Sequence, residues 1–207
     1  MDDTKRPMRI SDYAQGSEEW LNARRGVVTA SNFSKVFTTK GKLSTSREGL
    51  INQLIAENVT GEKTPTFKSD AMQRGNDLEP QARSYAAMIL NKQITEVGLV
   101  KVDDHEIGCS PDGLIGTIGI EFKCPNPSTM ISYQRAAGHK LPSAYIQQVQ
   151  GTMWVLEMQS YWFFAYHPTM PPYLMLVERD DKLLTLAEPL LIETAEIIKC
   201  ETERLRN

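Results

Sequence analysis

The chain has 207 residues, 41% of them apolar and 24% charged, with a formal net charge of −3. That length and balance describe one globular domain with a sizeable core, and exclude a disordered or fibrous chain. No apolar run approaches the roughly 18–20 residues of a membrane span, and the opening MDDTKRPMRI lacks the apolar centre of a secretory signal. Cys109, Cys124 and Cys200 form no CxxC pair, which argues against a zinc ribbon, an iron–sulfur cluster or a disulfide framework and for a reducing cytosol. The slightly negative sum does not exclude nucleic acid, because the local field at a site outweighs the total.

Residues 1–16 read as an N-terminal extension. Ser17-Glu18-Glu19-Trp20 then places a capping hydroxyl ahead of acids in a first helical turn, and that helix ends around Arg24-Arg25-Gly26. Thr29-Ala30-Ser31-Asn32 opens a second short helix reaching Phe37. Arg24 is either a solvated helix-end cation or, with Ser31, an anion pocket at a helix N-terminus, where free amides favour phosphate. Residues 38–47 form a polar loop whose Lys40, Lys42 and Arg47 are solvated or touch a phosphate backbone. A helix from about Arg47 to Asn58, with Leu50, Ile51, Leu54 and Ile55 on one face, closes at Thr60-Gly61. After an exposed loop over 61–71, Asp77 caps a helix with Pro80 in its first turn and Leu78, Ala82, Tyr85, Ala86 and Ile89 inward. Glu79 lies in that first turn, where the plain reading is a surface acid favoured by the helix dipole.

Residues 93–102 alternate and are β-branched, so a strand is expected, and 105–109 and 114–122 continue the sheet. Within CSPDGLIGTIGIEFKCP (109–125), Gly113, Gly116 and Gly119 permit tight turning before a strand from Ile118 to Phe122. Alternation points Glu121 and Lys123 one way and Phe122 into the core. Two acids, Asp112 and Glu121, and a lysine held at one sheet edge suit metal-assisted attack on a phosphodiester. The carboxylates hold a hard divalent cation, and the lysine steadies the nucleophile or the developing charge. Ser128 caps a short helix to Ala137, and a longer helix from about Pro142 to Glu157 carries Tyr145, Val149 and Trp154, with Gln148 one turn from Tyr145 and Thr152. Tyr161–Tyr166 and Tyr173–Glu178 form a closing antiparallel pair. Leu183–Leu205 is an amphipathic helix expected to pack on the core, with Pro189 near its start or at a kink. This order of elements is α+β, a central mixed sheet flanked by helices.

The hairpin resembles the PD-(D/E)-x-K nuclease superfamily. The likeness extends over ARRGVVTAS (23–31), RGNDLEPQAR (74–83), SPDGL (110–114), EFKCP (121–125), SAYIQQVQGTMW (143–154) and YWFFAYHP (161–168). Together these segments resemble the bacteriophage lambda-type exonucleases and their YqaJ-like viral recombinase relatives. The resemblance implies a single domain over 1–207 with a restriction-endonuclease-like core and a C-terminal helix over 181–207. It implies two Mg²⁺ ions, replaceable by Mn²⁺, with Asp112, Glu121 and the Phe122 carbonyl as ligands. Glu79 would complete a second metal site or orient the nucleophilic water, and Lys123 would be the catalytic lysine. Arg24, Ser31, Ser110 and Gln148 would bind the terminal 5′-phosphate, and Met72 would stand where an apolar wedge parts the last base pairs. The implied activity is processive alkaline-type 5′–3′ digestion of linear double-stranded DNA, leaving a 3′ overhang. The implied setting is a homotrimeric ring, phage or prophage encoded, in the bacterial cytoplasm with a single-strand annealing partner and no membrane.

The chain contains no G-x-x-x-x-G-K-[ST] pattern, so translocation would draw on hydrolysis of the DNA itself rather than ATP. Two alternatives share the residues: a restriction- or repair-type endonuclease of the same superfamily, and a non-catalytic DNA-end-binding module. The intact Asp112, Glu121 and Lys123 set speaks against the second.

Overall fold

A computed structural model describes residues 8–64, 70–136, 138 and 140–207. Among these, two mixed four-stranded sheets form the frame. The first has the order β1 (Met8–Ser11), β3 (Leu99–Val102), β4 (Ile107–Cys109), β2 (Val28–Thr29), antiparallel except for the parallel β2–β4 pair. The second has the order β5 (Gly113–Ile115), β6 (Ile118–Lys123), β7 (Ser160–Ala165), β8 (Tyr173–Glu178), with β6 and β7 parallel. The expected single sheet is therefore two, and Thr95, in the segment leading into β3, exchanges backbone hydrogen bonds of 2.9 and 2.8 Å with Leu114 of β5. Part of the stretch read as an extension, Met8–Ser11, is an edge strand on β3. The strand expected from residue 93 begins only at Leu99, where Ser11 lies opposite to pair with it.

Seven helices pack on this frame among the described residues: α1 (Glu18–Ala23), α2 (Phe33–Val36), α3 (Arg47–Thr60), α4 (Asp70–Leu90), α5 (Pro127–Arg135), α6 (Ile146–Leu156) and α7 (Asp181–Arg206). The Ser17 hydroxyl accepts from the Trp20 amide at 3.1 Å, the expected cap of α1. Asn126, not Ser128, caps α5, with Pro127 in the first position that proline tolerates best. Gly61 ends α3 in the left-handed region at φ 74°. Helix α4 already runs from Asp70, ahead of the cap expected at Asp77. Asp77 is consequently mid-helix, accepting from Gln73 Nε2 at 2.9 Å, and Pro80 lies inside rather than in the first turn. Proline there removes the helical partner of the Asn76 carbonyl. Part of the loop expected over 61–71, and Ala137 at the expected end of α5, lie outside the described residues.

Three apolar clusters hold the layers together. Phe33, Phe37, Leu50, Leu54, Trp154, Leu184, Leu191 and Ile198 join α2, α3, α6 and α7 beneath the first sheet, so the C-terminal helix packs on the core as expected. Burying each such side chain contributes roughly 1.5–3 kcal/mol. Met130, Val149, Met153, Tyr161, Phe163 and Tyr173 fill the space between the second sheet and α5 and α6. Ala82, Ala86, Ile120, Phe122 and Phe164 fill its other face under α4. Strand β6 therefore has Ile120 and Phe122 under α4, and turns Glu121 the other way, toward α6. It is also an interior strand of its sheet, where an edge position was expected.

Candidate active site

The segment before β5 and the strand β6 bring Asp112, Glu121 and Lys123 together. The Phe122 amide donates to Asp112 Oδ2 at 2.6 Å, pinning that carboxylate against β6. Glu121 is 1% exposed. Its Oε1 accepts from Lys123 Nζ at 2.5 Å and also from Gln148 Nε2 on α6. The Lys123 ammonium lies 5.1 Å from the centre of the Tyr145 ring, within cation–π range.

Burial and then the Glu121 charge push the Asp112 carboxyl well above the usual carboxylate range, against a smaller pull from Lys123. For Lys123, burial disfavours the ammonium, but the Glu121 and Asp112 charges outweigh it and raise its pKa. It is therefore a cation at neutral pH. Burial also raises Glu79, opposed by the Arg83 guanidinium. Among the described residues, no three His, Cys, Asp or Glu side chains form a ready-made metal cage. The donor chemistry nevertheless fits a small hard cation. Mg²⁺ commonly takes one or two carboxylates and keeps its waters, and a divalent charge would relieve the repulsion between two buried acids.

Beside these acids lies a second cluster. Arg24 Nη1 donates to Ser110 Oγ at 3.1 Å, and its Nη2 donates to Thr29 Oγ1 at 3.3 Å and to Ser31 Oγ at 3.4 Å. The guanidinium sits 4.3 Å from the Trp20 ring centre, and the indole Nε1 donates to the same Ser110 hydroxyl at 3.1 Å. Arg24 is partly buried and pairs with none of the described carboxylates. A cation so placed, among neutral hydroxyls, has the chemistry to receive an anion. The expected helix N-terminus contributes little. Ser31 lies in a single 3₁₀ turn (Ala30–Asn32), and α2 behind it has four residues.

One cleft of about 590 Å³ holds both clusters. Arg24, Ser31, Met72, Glu79, Ser110, Asp112, Glu121, Phe122, Lys123 and Gln148, the residues singled out from sequence, all line it. Met72 is 55% exposed on the first part of α4. Arg47 is not available to a backbone phosphate: it meets Thr194 at 2.8 Å and Glu193 at 3.0 Å on α7. The glutamines of α6 also diverge, Gln147 to the Phe37 carbonyl and Gln150 to that of Glu178, so only Gln148 enters the cleft. Sequence reasoning passed over Trp20, Thr29, Arg83 and Tyr145. The spacing of Trp20 and Arg24, four apart on a helix, was the available signal for the first. The rest depend on tertiary contacts.

This frame, a mixed sheet with an acid and a lysine on an interior strand, a second acid just before the strand beside it, and helices on both faces, is the restriction-endonuclease-like fold. The chain belongs to the YqaJ-like viral recombinase domain family, whose model matches residues 19–159. It is similar in structure to an alkaline exonuclease from Laribacter hongkongensis: 34% identity, 92% of this chain and 96% of that chain covered, TM-score 0.81. The same exonuclease in complex with dAMP aligns at 35% identity over the same shares, with a TM-score of 0.79. A phage-related exonuclease from Haemophilus somnus 129PT shares the fold at 16% identity, covering 86% of this chain and 96% of that one with a TM-score of 0.65. No curated protein sequence matches the chain.

Proposed function

We propose that this chain is a Mg²⁺-dependent exonuclease that degrades one strand of linear double-stranded DNA processively from its 5′-phosphorylated end, leaving a 3′ overhang for single-strand annealing. The observation that carries this reading is the shared cleft, where an arginine that pairs with none of the described carboxylates lies beside a buried acid pair and its lysine. An anion receptor set apart from the cutting residues lets an enzyme measure from a strand end. Similarity to an alkaline exonuclease, also known in complex with dAMP, supports it.

Asp112 and Glu121, with the Phe122 carbonyl, would hold Mg²⁺, and Mn²⁺ would substitute. Glu79 would complete a second ion's site or orient the attacking water. When bound, the cation supplies Lewis acidity and neutralises charge at the phosphodiester. Lys123, kept protonated by its carboxylate neighbours, donates toward the oxygen on which negative charge grows. Arg24, Ser31, Ser110 and Gln148 hold the terminal 5′-phosphate, and Trp20 and Thr29 steady Arg24 and Ser110 from behind. Gln148 serves both clusters: it bonds Glu121 here and reaches the phosphate by letting go. Met72 parts the terminal base pairs from its exposed position on the cleft wall.

The deciding experiment offers the enzyme linear duplexes with 5′-phosphate, 5′-hydroxyl or hairpin-capped ends, and a closed circle, each with Mg²⁺ or with EDTA. Digestion is expected only with Mg²⁺, fastest from 5′-phosphate and absent from the circle. Arg24→Ala should erase the preference for phosphate, a loss of about 10–100-fold for a charge-assisted contact of roughly 1.5–3 kcal/mol. Cleavage of the circle would establish an endonuclease instead. Equal wild-type rates on phosphate and hydroxyl ends would remove the pocket's role.

A further inference from the structure

We propose that Arg83 is a positioning residue that locks Glu79 and the Asp112 segment into one frame for binding a divalent cation, an inference that rests on the function proposed above. The plainer account is a helix-surface ion pair, since Arg83 follows Glu79 by one turn of α4 and meets it at 2.8 Å. Such a pair would be worth little in stability. The guanidinium, however, does more than pair with its helical neighbour. Its Nη1 donates to the backbone carbonyl of Asp112, 29 residues along the chain. Its Nε lies 3.4 Å from Glu96, and its central carbon sits 5.3 Å from the centre of the Phe122 ring.

All of these contacts except that to the exposed Glu96 fall on a part of the acid site. Asp112 is held at both ends, its carbonyl by Arg83 and its carboxylate by the Phe122 amide. Phe122 also packs against Phe164, edge-on at 6.0 Å. Glu79, the α4 carboxylate that lines the cleft, is aimed by the same guanidinium. Gly113 leaves the room for this, because a Cβ there would stand 3.2 Å from Arg83 Nη1 and collide with Ile94. A planar guanidinium with donors on three edges can serve three segments at once, and a lysine ammonium on its flexible stem cannot. Partners that orient metal-binding carboxylates in this way are worth 10–100-fold in metal affinity.

The test is Mn²⁺ binding followed by electron paramagnetic resonance, without turnover, on the wild type, Arg83→Gln, Arg83→Lys, Glu79→Gln and the Glu79→Gln/Arg83→Gln double variant. Thermal melts run in parallel. Arg83→Gln is expected to weaken Mn²⁺ by about 10–100-fold, and Arg83→Lys to fall between it and the wild type. The double variant should be no worse than the weaker single one, because the arginine acts through the carboxylate. Wild-type affinity in Arg83→Gln, a changed melting temperature with unchanged affinity, or single losses that multiply in the double variant would each overturn the role. If Arg83→Gln does not fold, Arg83→Lys carries the same comparison. A wild type that binds no Mn²⁺ overturns the functional reading itself, a separate failure.

Discussion

Glu121 concentrates the polar contacts of the acid cluster in one buried carboxylate. Its Oε1 takes both an ammonium and an amide donor, and its charge bears on Asp112, Lys123 and Glu79. Two opposing effects act on the substitution Glu121→Gln. Losing the Lys123 partner costs stability, while removing repulsion from Asp112 restores it. Lys123 keeps 24% of its side chain exposed and retains Asp112 nearby, so the cation is not stranded and the two effects nearly cancel. The melting temperature should stay within about 4 °C of the wild type, the shift that roughly 1 kcal/mol produces in a domain of this size. Mg²⁺-dependent digestion should fall about 10³-fold, the rate equivalent of the several kcal/mol a metal site supplies. A calorimetric scan beside a nuclease assay reads both. A cooperative loss of stability, or full activity, would contradict this account.

At the scale of the element, the second sheet depends on a close approach that only glycine allows. The ring of Tyr161 on β7 occupies the place a Cβ would take at Gly119 on β6, and the Tyr161 hydroxyl donates to the Ile120 carbonyl at 3.1 Å. Gly119→Ala must displace a fully buried tyrosine and the strand that carries Glu121. We expect a loss of about 1–3 kcal/mol, seen as a lower urea midpoint at unchanged slope. An unaltered midpoint would mean that the ring has somewhere else to go. Other elements show where local signals mislead. Asp77 and Pro80 look like a helix start, yet α4 runs through Gly75 and Asn76. Arg74 reaches across to the Cys124 carbonyl at 2.7 Å and fastens that part of the helix to the end of β6. Packing has overridden propensity there.

For the whole molecule, the homotrimeric ring that the family resemblance implies has a direct measurement. Sedimentation equilibrium should return three times the 23.3 kDa chain mass, and a monomer at working concentrations would contradict the ring. No described helix is long and apolar enough to cross a membrane.

Much of this was legible from the chain itself. Asp112, Glu121 and Lys123 sit on one tight hairpin, where a period-two strand and a short turn dictate which side chains share a face. Helix α3 and its glycine stop, the Ser17 cap and the apolar face of α7 rest on equally local rules. The tertiary structure decided what depends on distant segments meeting. It split the sheet in two, drew Met8–Ser11 into the first, and took Arg47 away to α7. It also placed Gln148 on Glu121, 27 positions earlier, and gathered Trp20 and Arg24 on Ser110, 90 and 86 positions away. Spacing along a chain determines the geometry of a turn. Contacts across tens of residues form only when layers pack, and those contacts set which donor reaches which oxygen.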